Sequence, residues 1–512
     1  MDRPMIARTL VALALALGAL AQLLFYRLAP GISVPIFTVA ALVAAWLVRP
    51  DDARFDPLDR WLPPLAVGLA ALVAFRADPT LVFVNTAGAF TALGFSAAAL
   101  TGIAVTRRTG EAIIGLGIVI GGTVFAGAAL ALTEMGAELR VAGMPRVPTQ
   151  TGAAVRGLFI AAPIVLVFAF LFSSADAVFS RWLDMAINVE LGVDVWDRIL
   201  LGVFVAWFAA GLLFFAARGQ APEQIRVSAP AVDGAEAADT AAATAEPPPR
   251  VGGLGVTEAI VVLVVVDLLF GVFIVLQLAY LFGGMDTLAA AGTTYAEYGR
   301  RGFFELLFAA GLAGVLVAGL ESIVARRTRP YLAASLVLVG LTAAVLVSAL
   351  QRMRLYQEAY GWTELRFWAL AGIVFVGIAL GATAVVLVRN RTSRLPHALA
   401  AILVGVLGVV NVVGPQAFVA DRNLERIFDP SLIPPDGRHA PDIALLAGLG
   451  DDAAPSLVAA LPRLPEQERR FLLSSLRERA ARLARDPGLT GWPAWNLGRQ
   501  RARDALAQLS PE

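Results

Sequence analysis

The stretch VVLVVVDLLF at residues 261–270 contains nine apolar residues and a single carboxylate, and it decides how this chain must fold. It lies inside a longer apolar run, near 256–282, and about 20 such residues are enough for a helix to cross a bilayer. In lipid every backbone amide needs a hydrogen bond within the protein, which a helix supplies. The stretch is therefore predicted to be a membrane-spanning helix.

Apolar runs of similar length recur along most of the chain. Together they predict an all-α fold: a polytopic transmembrane helix bundle of about 12 spans, with 11 and 13 as alternatives, and a small C-terminal helical region outside the membrane. Besides 256–282, the predicted spans lie near 6–26, 32–48, 61–76, 80–106, 112–132, 157–175, 198–217, 302–325, 331–350, 365–388 and 397–414.

The composition of the whole chain agrees with a protein whose main partner is the lipid bilayer. Hydrophobic residues make up 58% of the 512 residues and charged residues only 16%, with a mean hydropathy of +0.73. Soluble domains carry about 25% charged residues. We therefore expect a multi-pass protein of the cell (inner, cytoplasmic) membrane.

Residue counts weaken several classes of function. The net charge is +1, with 41 basic residues that are all Arg, which gives no reason to expect nucleic acid as a partner. Without cysteine there is no disulfide, thiolate metal site or cysteine nucleophile, and two histidines cannot form a zinc HExxH motif. We predict no catalytic residues, no metal and no cofactor, and assign no enzyme activity.

The chain divides into four segments. Residues 1–217 hold about seven predicted spans, 218–250 form a predicted disordered Ala/Pro/Glu linker, and 251–414 hold about five spans. Residues 415–512 form a polar helical tail with a HEAT-like helical pair, in which Leu472, Leu476, Ala480 and Leu483 share one face. Such a pair needs something to pack on, so the tail is predicted to dock on the membrane region or on a partner protein.

Arginine in short turns is the usual guide to the cytoplasmic side, and here it gives a conflict. Residues 326–329 and 389–394 are short basic turns that favour one side of the bilayer. Arg3 and Arg8, with the arginines of the turn at 49–60, favour the opposite orientation if there are twelve spans. An odd number of spans would remove the conflict. The sidedness of the termini and the oligomeric state stay open.

Polar residues at membrane depth are the first candidates for function, because a charge near the bilayer centre costs about 2.5–3.5 kcal/mol on insertion scales. Asp267 lies near the middle of its span, and Gln277 lies further along the same helix. These side chains form either a proton or cation site or a polar contact between helices. Glu305 follows Arg301 by four residues, which suggests an ion pair on one helical face.

Several blocks of sequence resemble a known family. The residues that carry the resemblance are YAEYGRRGFFEL at 295–306, QRMRLY at 351–356, AYGWTELR at 359–366, SSADAVF at 173–179, QAFVADRNLER at 416–426 and AWNL at 494–497. They are similar to a bacterial multi-pass membrane family called domain of unknown function 4173, a relative of family 4153. The resemblance implies a membrane protein class and carries over no catalytic residue.

Three of these blocks, at 295–306, 351–356 and 359–366, are rich in Arg and Tyr, which have two roles at a membrane interface. They anchor helices at headgroup level, or they grip an anionic headgroup through paired donors. The predicted interfacial site comprises Tyr295, Tyr298, Arg300, Arg301, Arg352, Arg354, Tyr356, Tyr360 and Arg366.

Three classes of function agree with these features. The first is a membrane sensor or scaffold that docks a partner protein through its helical tail. The second is a proton-coupled or ion-coupled transporter of small molecules or lipids that uses Asp267. The third is a membrane-embedded enzyme that modifies lipids, which needs a carboxylate beside the arginine cluster.

Overall fold

The computed structural model describes residues 3–110, 112–125, 193–218, 256–282, 303–324, 327–391, 394–435, 437 and 442–509, which form helices joined by turns and short irregular segments. No strand occurs in these ranges. The chain divides into two compact units, one formed by Met1–Ala229 with Ala480–Arg503 and the other by Pro230–Arg479 with Asp504–Glu512. The predicted span 157–175 and the predicted linker from residue 219 onward lie outside the described residues.

The described part of the first unit contains six apolar helices and the end of the tail. Its helices are α1 (Arg3–Phe25), α2 (Ser33–Val48), α3 (Leu62–Phe75), α4 (Pro79–Leu100), α5 (Ala112–Phe125) and α6 (Val193–Arg218). Glycines bring α1 and α6 into close contact, because a Cβ atom on Gly18 would collide with the backbone of Gly202. The apolar core of this unit lies among these helices.

In the second unit, the described residues form five apolar helices and most of the tail. Its membrane helices are α7 (Val256–Phe282), α8 (Phe303–Ile323), α9 (Arg329–Tyr360), α10 (Glu364–Val388) and α11 (Leu395–Val413). The tail continues as α12 (Pro415–Phe428), α13 (Ile443–Gly448), α14 (Ala454–Ala460), α15 (Glu466–Arg485), α16 (Pro487–Thr490) and α17 (Leu497–Leu506). The last two helices, with the end of α15, belong to the first unit.

The predicted fold class is confirmed. Eight described helices are long and apolar enough to cross a membrane, and three shorter apolar helices, α2, α5 and the 306–321 part of α8, accompany them. Their outward faces expose large apolar side chains, as lipid-facing helices do, for example Phe83, Val265 and Phe308. Each of these eleven helices coincides with a span predicted from the sequence.

Helix ends in this chain follow from specific local residues. The Asp78 carboxylate accepts hydrogen bonds from the N–H of Thr80 (2.8 Å) and of Leu81 (3.2 Å), which caps α4 just before Pro79. Thr363 caps α10 through the N–H of Arg366 at 3.3 Å.

The helix α9 is much longer than its predicted span, 331–350. It has 32 residues, which at 1.5 Å each give about 48 Å, against a hydrocarbon core of about 30 Å. Its last ten residues are therefore a helical extension beyond the apolar layer. The helix ends only at Gly361, whose φ of +77° favours glycine.

Candidate interfacial sites

The predicted Arg/Tyr cluster forms, in part, a clamp on the end of α9. The Nη1 atom of Arg366 donates to the carbonyl oxygens of Tyr360 (3.3 Å) and Gly361. Its guanidinium carbon lies 4.0 Å from the ring centroid of Tyr356, and the rings of Tyr356 and Tyr360 meet edge to face at 5.2 Å. Arg366 thus stabilises the negative end of the helix dipole.

A second arginine, from the tail, binds the same helix end. Arg426 of α12 donates to the carbonyl oxygens of Gln357 (3.3 Å), Glu358 and Ala359 (3.3 Å). These carbonyls belong to the last turn of α9, where Gln357 also accepts from the N–H of Gly361 at 2.8 Å, and the last carbonyls of a helix have no N–H of a following turn to bind. Burial, and then the nearby charge of Arg366, lower the pKa of Arg426. Two positively charged side chains can lie at one helix end because both interact with the partial negative charge of its carbonyl oxygens.

Asn423 fixes the turn that follows α9. Its side-chain oxygen accepts from the N–H of Trp362 at 2.9 Å, and its amide nitrogen donates to the carbonyl of the same residue at 2.8 Å. Any side chain at Gly361 would collide with this amide. The ring of Phe418, on the same helix as Asn423, packs edge to face on Trp362 at 4.8 Å. The sequence blocks at 359–366 and 416–426 are therefore two halves of one structural contact.

The other predicted interfacial residues are placed differently. Arg352 is buried, only 9% exposed, whereas Arg354 on the same helix is exposed. Tyr295, Tyr298, Arg300 and Arg301 lie outside the described residues. The structure thus brings together Tyr356, Tyr360 and Arg366, and the Arg366 contacts described are to the protein itself. A headgroup site at the whole set stays a prediction.

Asp267 lies in an apolar groove between α7 and α9. The groove has a volume of about 530 Å³ and is otherwise lined by apolar residues, among them Val264, Leu268, Val337 and Leu341. One oxygen of the Asp267 carboxylate is buried, and no hydrogen-bond partner for it is found among the described residues. Gln277 and Glu305 lie on α7 and α8, but their side chains are outside the described part.

The two basic turns of the second unit meet each other. The Nη1 atom of Arg327 donates to the side-chain oxygen of Asn390 at 2.5 Å, and Nη2 lies 2.7 Å from a carboxylate oxygen of Glu321, which is almost fully buried. The turns at 326–329 and 389–394 are thus neighbours at one end of the helices, as expected for two turns on one side of a membrane.

The end of the tail, residues 486–503, is bound to the first unit and is here called the latch. The N–H of Ala29 donates to the carbonyl of Gly488 at 2.8 Å, and the N–H of Ile32 donates to the carbonyl of Trp495 at 2.9 Å. These bonds hold the latch against the turn between α1 and α2.

Two buried polar side chains of the latch complete this contact. Asn496 is fully buried, and its amide nitrogen donates to the carbonyl oxygens of Val73 and Arg76, both at 2.7 Å. Arg499, 5% exposed, donates to the carbonyl oxygen of Pro30 at 2.7 Å. Sequence reasoning did not find this site. Its one signal was the family resemblance of residues 494–497, which gave no role.

A further polar contact lies at the end of the first unit that is opposite the latch. Asp59 is buried and accepts from the N–H of Val105 (2.8 Å) and of Thr106 (2.7 Å). Nearby, the Nε atom of Arg107 donates to Asp56 at 2.5 Å, and this hydrogen bond, together with one from the N–H of Leu58, lowers the pKa of Asp56. Both carboxylates hold the turn after α4 against the turn before α3.

No group of three or more His, Cys, Asp or Glu residues able to hold a metal ion occurs in the described parts of the chain. Residues 65–460, well over half of the chain, match the family model described as "Domain of unknown function (DUF4153)". This is the relative of the family that the sequence blocks resemble. No curated protein matches the chain, and no solved structure matches it.

Proposed function

Because the chain belongs to the DUF4153 family, a domain of unknown function, we propose its role from its own geometry. It is a membrane scaffold or sensor that presents a folded helical tail to a partner protein. The observation that carries this proposal is that both ends of the tail are bound to membrane helices: α12 clamps the end of α9, and the latch binds beside α1 and α3. A tail held in this way presents a preorganised surface, which lowers the entropic cost of binding.

The side of the tail follows from contacts within the first unit. The latch meets the turn between α1 and α2, and Arg27 in this turn lies 3.4 Å from Asp197 near the start of α6. We call this end the latch face. Trp492 and Trp495 of the latch are exposed here, as is typical of aromatic residues at a membrane surface.

The basic turns of the first unit lie at its other end. Within this unit, the turns after α2 and after α4 lie opposite the latch face. The arginines in these turns are Arg49, Arg54, Arg60, Arg107 and Arg108. Short turns rich in arginine usually lie on the cytoplasmic side of a membrane. We propose that the latch face is on the non-cytoplasmic side.

The outer face of α15 is the proposed docking surface. Its inner face is buried through Leu472, Leu476 and Leu483, and Arg479 is 9% exposed and donates to the carbonyl of Gly450 at 2.6 Å. On the outer face Phe471 is 53% exposed, and Arg469 and Arg470 beside it are exposed. An exposed aromatic residue flanked by arginines is a composition enriched in protein interfaces.

Site-specific photocrosslinking tests this surface. A benzophenone amino acid at position 471 should give one defined adduct in cells, and Arg470→Glu should abolish it. The control is the same probe at Ala484, an exposed position of α15 about 20 Å away. Deleting the whole tail is a poor test, because it would also remove the hydrogen bonds that the tail makes to the ends of α3 and α9. Identical adducts at positions 471 and 484 would contradict a specific docking surface.

A transporter remains the second candidate, and one observation favours it. Asp267 is a carboxylate at membrane depth in an apolar groove, without a hydrogen-bond partner in the described residues for its buried oxygen. An intramembrane carboxylate of this kind is a usual component of proton and ion pathways. In proteoliposomes, Asp267→Asn should then abolish proton-coupled flux, and equal flux in the variant would exclude this role.

A further inference from the structure

A large apolar cavity lies inside the first unit, among α1, α2, α4, α5 and α6. Its volume is about 780 Å³, within the range of about 300–1,000 Å³ usual for small-molecule sites. Aromatic and aliphatic side chains line it, including Phe25, Phe37, Phe90, Leu201, Phe204 and Phe208. Protein interiors rarely keep voids of this size, and an apolar cavity does not attract water. In a bilayer, a lipid chain is the molecule available to fill it.

Cationic groups lie next to one end of the cavity, at the latch face. Phe25 and Leu201 line the cavity, while Tyr26 and Arg198 are their close neighbours in sequence. The guanidinium carbon of Arg198 lies 4.4 Å from the ring centroid of Tyr26, and that of Arg27 lies 5.4 Å from the same centroid. Arg198 is exposed, and Arg27 keeps 59% of its side chain exposed although it is paired with Asp197.

The two arginines and the adjoining apolar cavity indicate the chemical class of a ligand. The guanidinium groups of Arg27 and Arg198 lie at headgroup depth, where phosphate oxygens can accept from exposed guanidinium N–H groups. The apolar cavity begins within one helical turn of these groups. We propose that the first unit binds one anionic phospholipid, with its phosphate at Arg27 and Arg198 and an acyl chain in the cavity.

Native mass spectrometry of the detergent-purified full chain tests this proposal with phosphatidylglycerol and phosphatidylcholine as probes. The wild type should retain one phosphatidylglycerol. Arg198→Gln should weaken its binding roughly tenfold, the cost of one charge-assisted hydrogen bond. Leu201→Trp should fill the cavity and abolish the adduct. The matched controls Arg108→Gln and Leu403→Trp change an exposed arginine at the other face and an exposed leucine of α11, and should bind as the wild type does.

A thermal-shift measurement separates lipid binding from loss of folding. Phosphatidylglycerol should raise the melting temperature of the wild type and both controls, and much less that of Arg198→Gln. Inorganic phosphate alone should give no such shift, because the acyl chain supplies most of the binding. Equal binding of both lipids by the wild type and all variants would overturn the proposal. So would an adduct that survives Leu201→Trp in folded protein.

Discussion

Replacement of Asn496 by alanine tests how firmly the latch is held. The amide of Asn496 donates to Val73 and Arg76 at 2.7 Å each, and its oxygen accepts from the N–H of Arg499 at 3.1 Å. Three buried hydrogen bonds are lost, two of them to the carbonyl oxygens of Val73 and Arg76. At about 1 kcal/mol net for each bond, with an added desolvation cost, we expect the free energy of latch opening to fall by about 3–4 kcal/mol.

Hydrogen exchange measures this change directly. The N–H groups of Ala29 and Ile32 donate to the latch, so their exchange reports its opening. A decrease of 3–4 kcal/mol corresponds to exchange that is faster by roughly two to three orders of magnitude. Peptides covering residues 26–34 and 486–503 should show it, while peptides from α10 should not.

The control for this experiment is Gln508→Ala, an exposed position just beyond the latch, which should leave exchange unchanged. If Asn496→Ala left the protection of Ala29 and Ile32 at the wild-type level, the buried amide would not hold the latch. If instead exchange increased throughout both units, the variant would be globally unfolded and the latch would not be a local element.

Three further predictions concern other polar contacts. Arg426→Met removes the donors to the last turn of α9 and should lower the free energy of unfolding by about 2–3 kcal/mol, measured by chemical denaturation in detergent; a neutral effect would contradict the clamp. The pKa of Asp56 is lowered from 3.8, so the ionised carboxylate stabilises the fold at neutral pH, and this contribution is lost as the pH falls below about 4. The melting temperatures of the wild type and Asp56→Asn should therefore converge in acid. A difference that stays constant with pH would refute this. Asp267→Leu should raise the melting temperature, because a charged group at membrane depth costs about 2.5–3.5 kcal/mol on insertion scales, and one oxygen of Asp267 is buried without a hydrogen-bond partner among the described residues; a lower value would indicate that the carboxylate has a partner.

The membrane helices could be predicted from the sequence because lipid imposes a simple rule of length and hydropathy. Outside the apolar layer the rule no longer applies, and the sequence did not predict where the helix ends. The end of α9 is an example: residues 351–360 are polar but contain no helix breaker, so the helix continues until Gly361. Hydropathy marks where the apolar layer ends, and only the capping geometry marks where the helix ends.

Polar contacts over long sequence distances could not be predicted. Asn496 binds the carbonyl of Val73, 423 positions away, and neither residue carries a pattern that indicates the other. Arg366 illustrates a second difficulty. Its residue type agrees with headgroup binding, yet its described donors reach carbonyls of its own turn, because a helix end competes for the same guanidinium. Only the folded geometry distinguishes the two uses.

The proposed sidedness of the first unit, with the latch and the basic turn after α4 on opposite sides of the membrane, can be measured by single-cysteine labelling, since the chain contains no cysteine. Thr490 of the latch and Thr109 between α4 and α5 are both exposed. In right-side-out vesicles, an impermeant maleimide should label Thr490→Cys at once and Thr109→Cys only after detergent is added. Equal labelling of both variants in intact vesicles, or the reverse order, would contradict this sidedness.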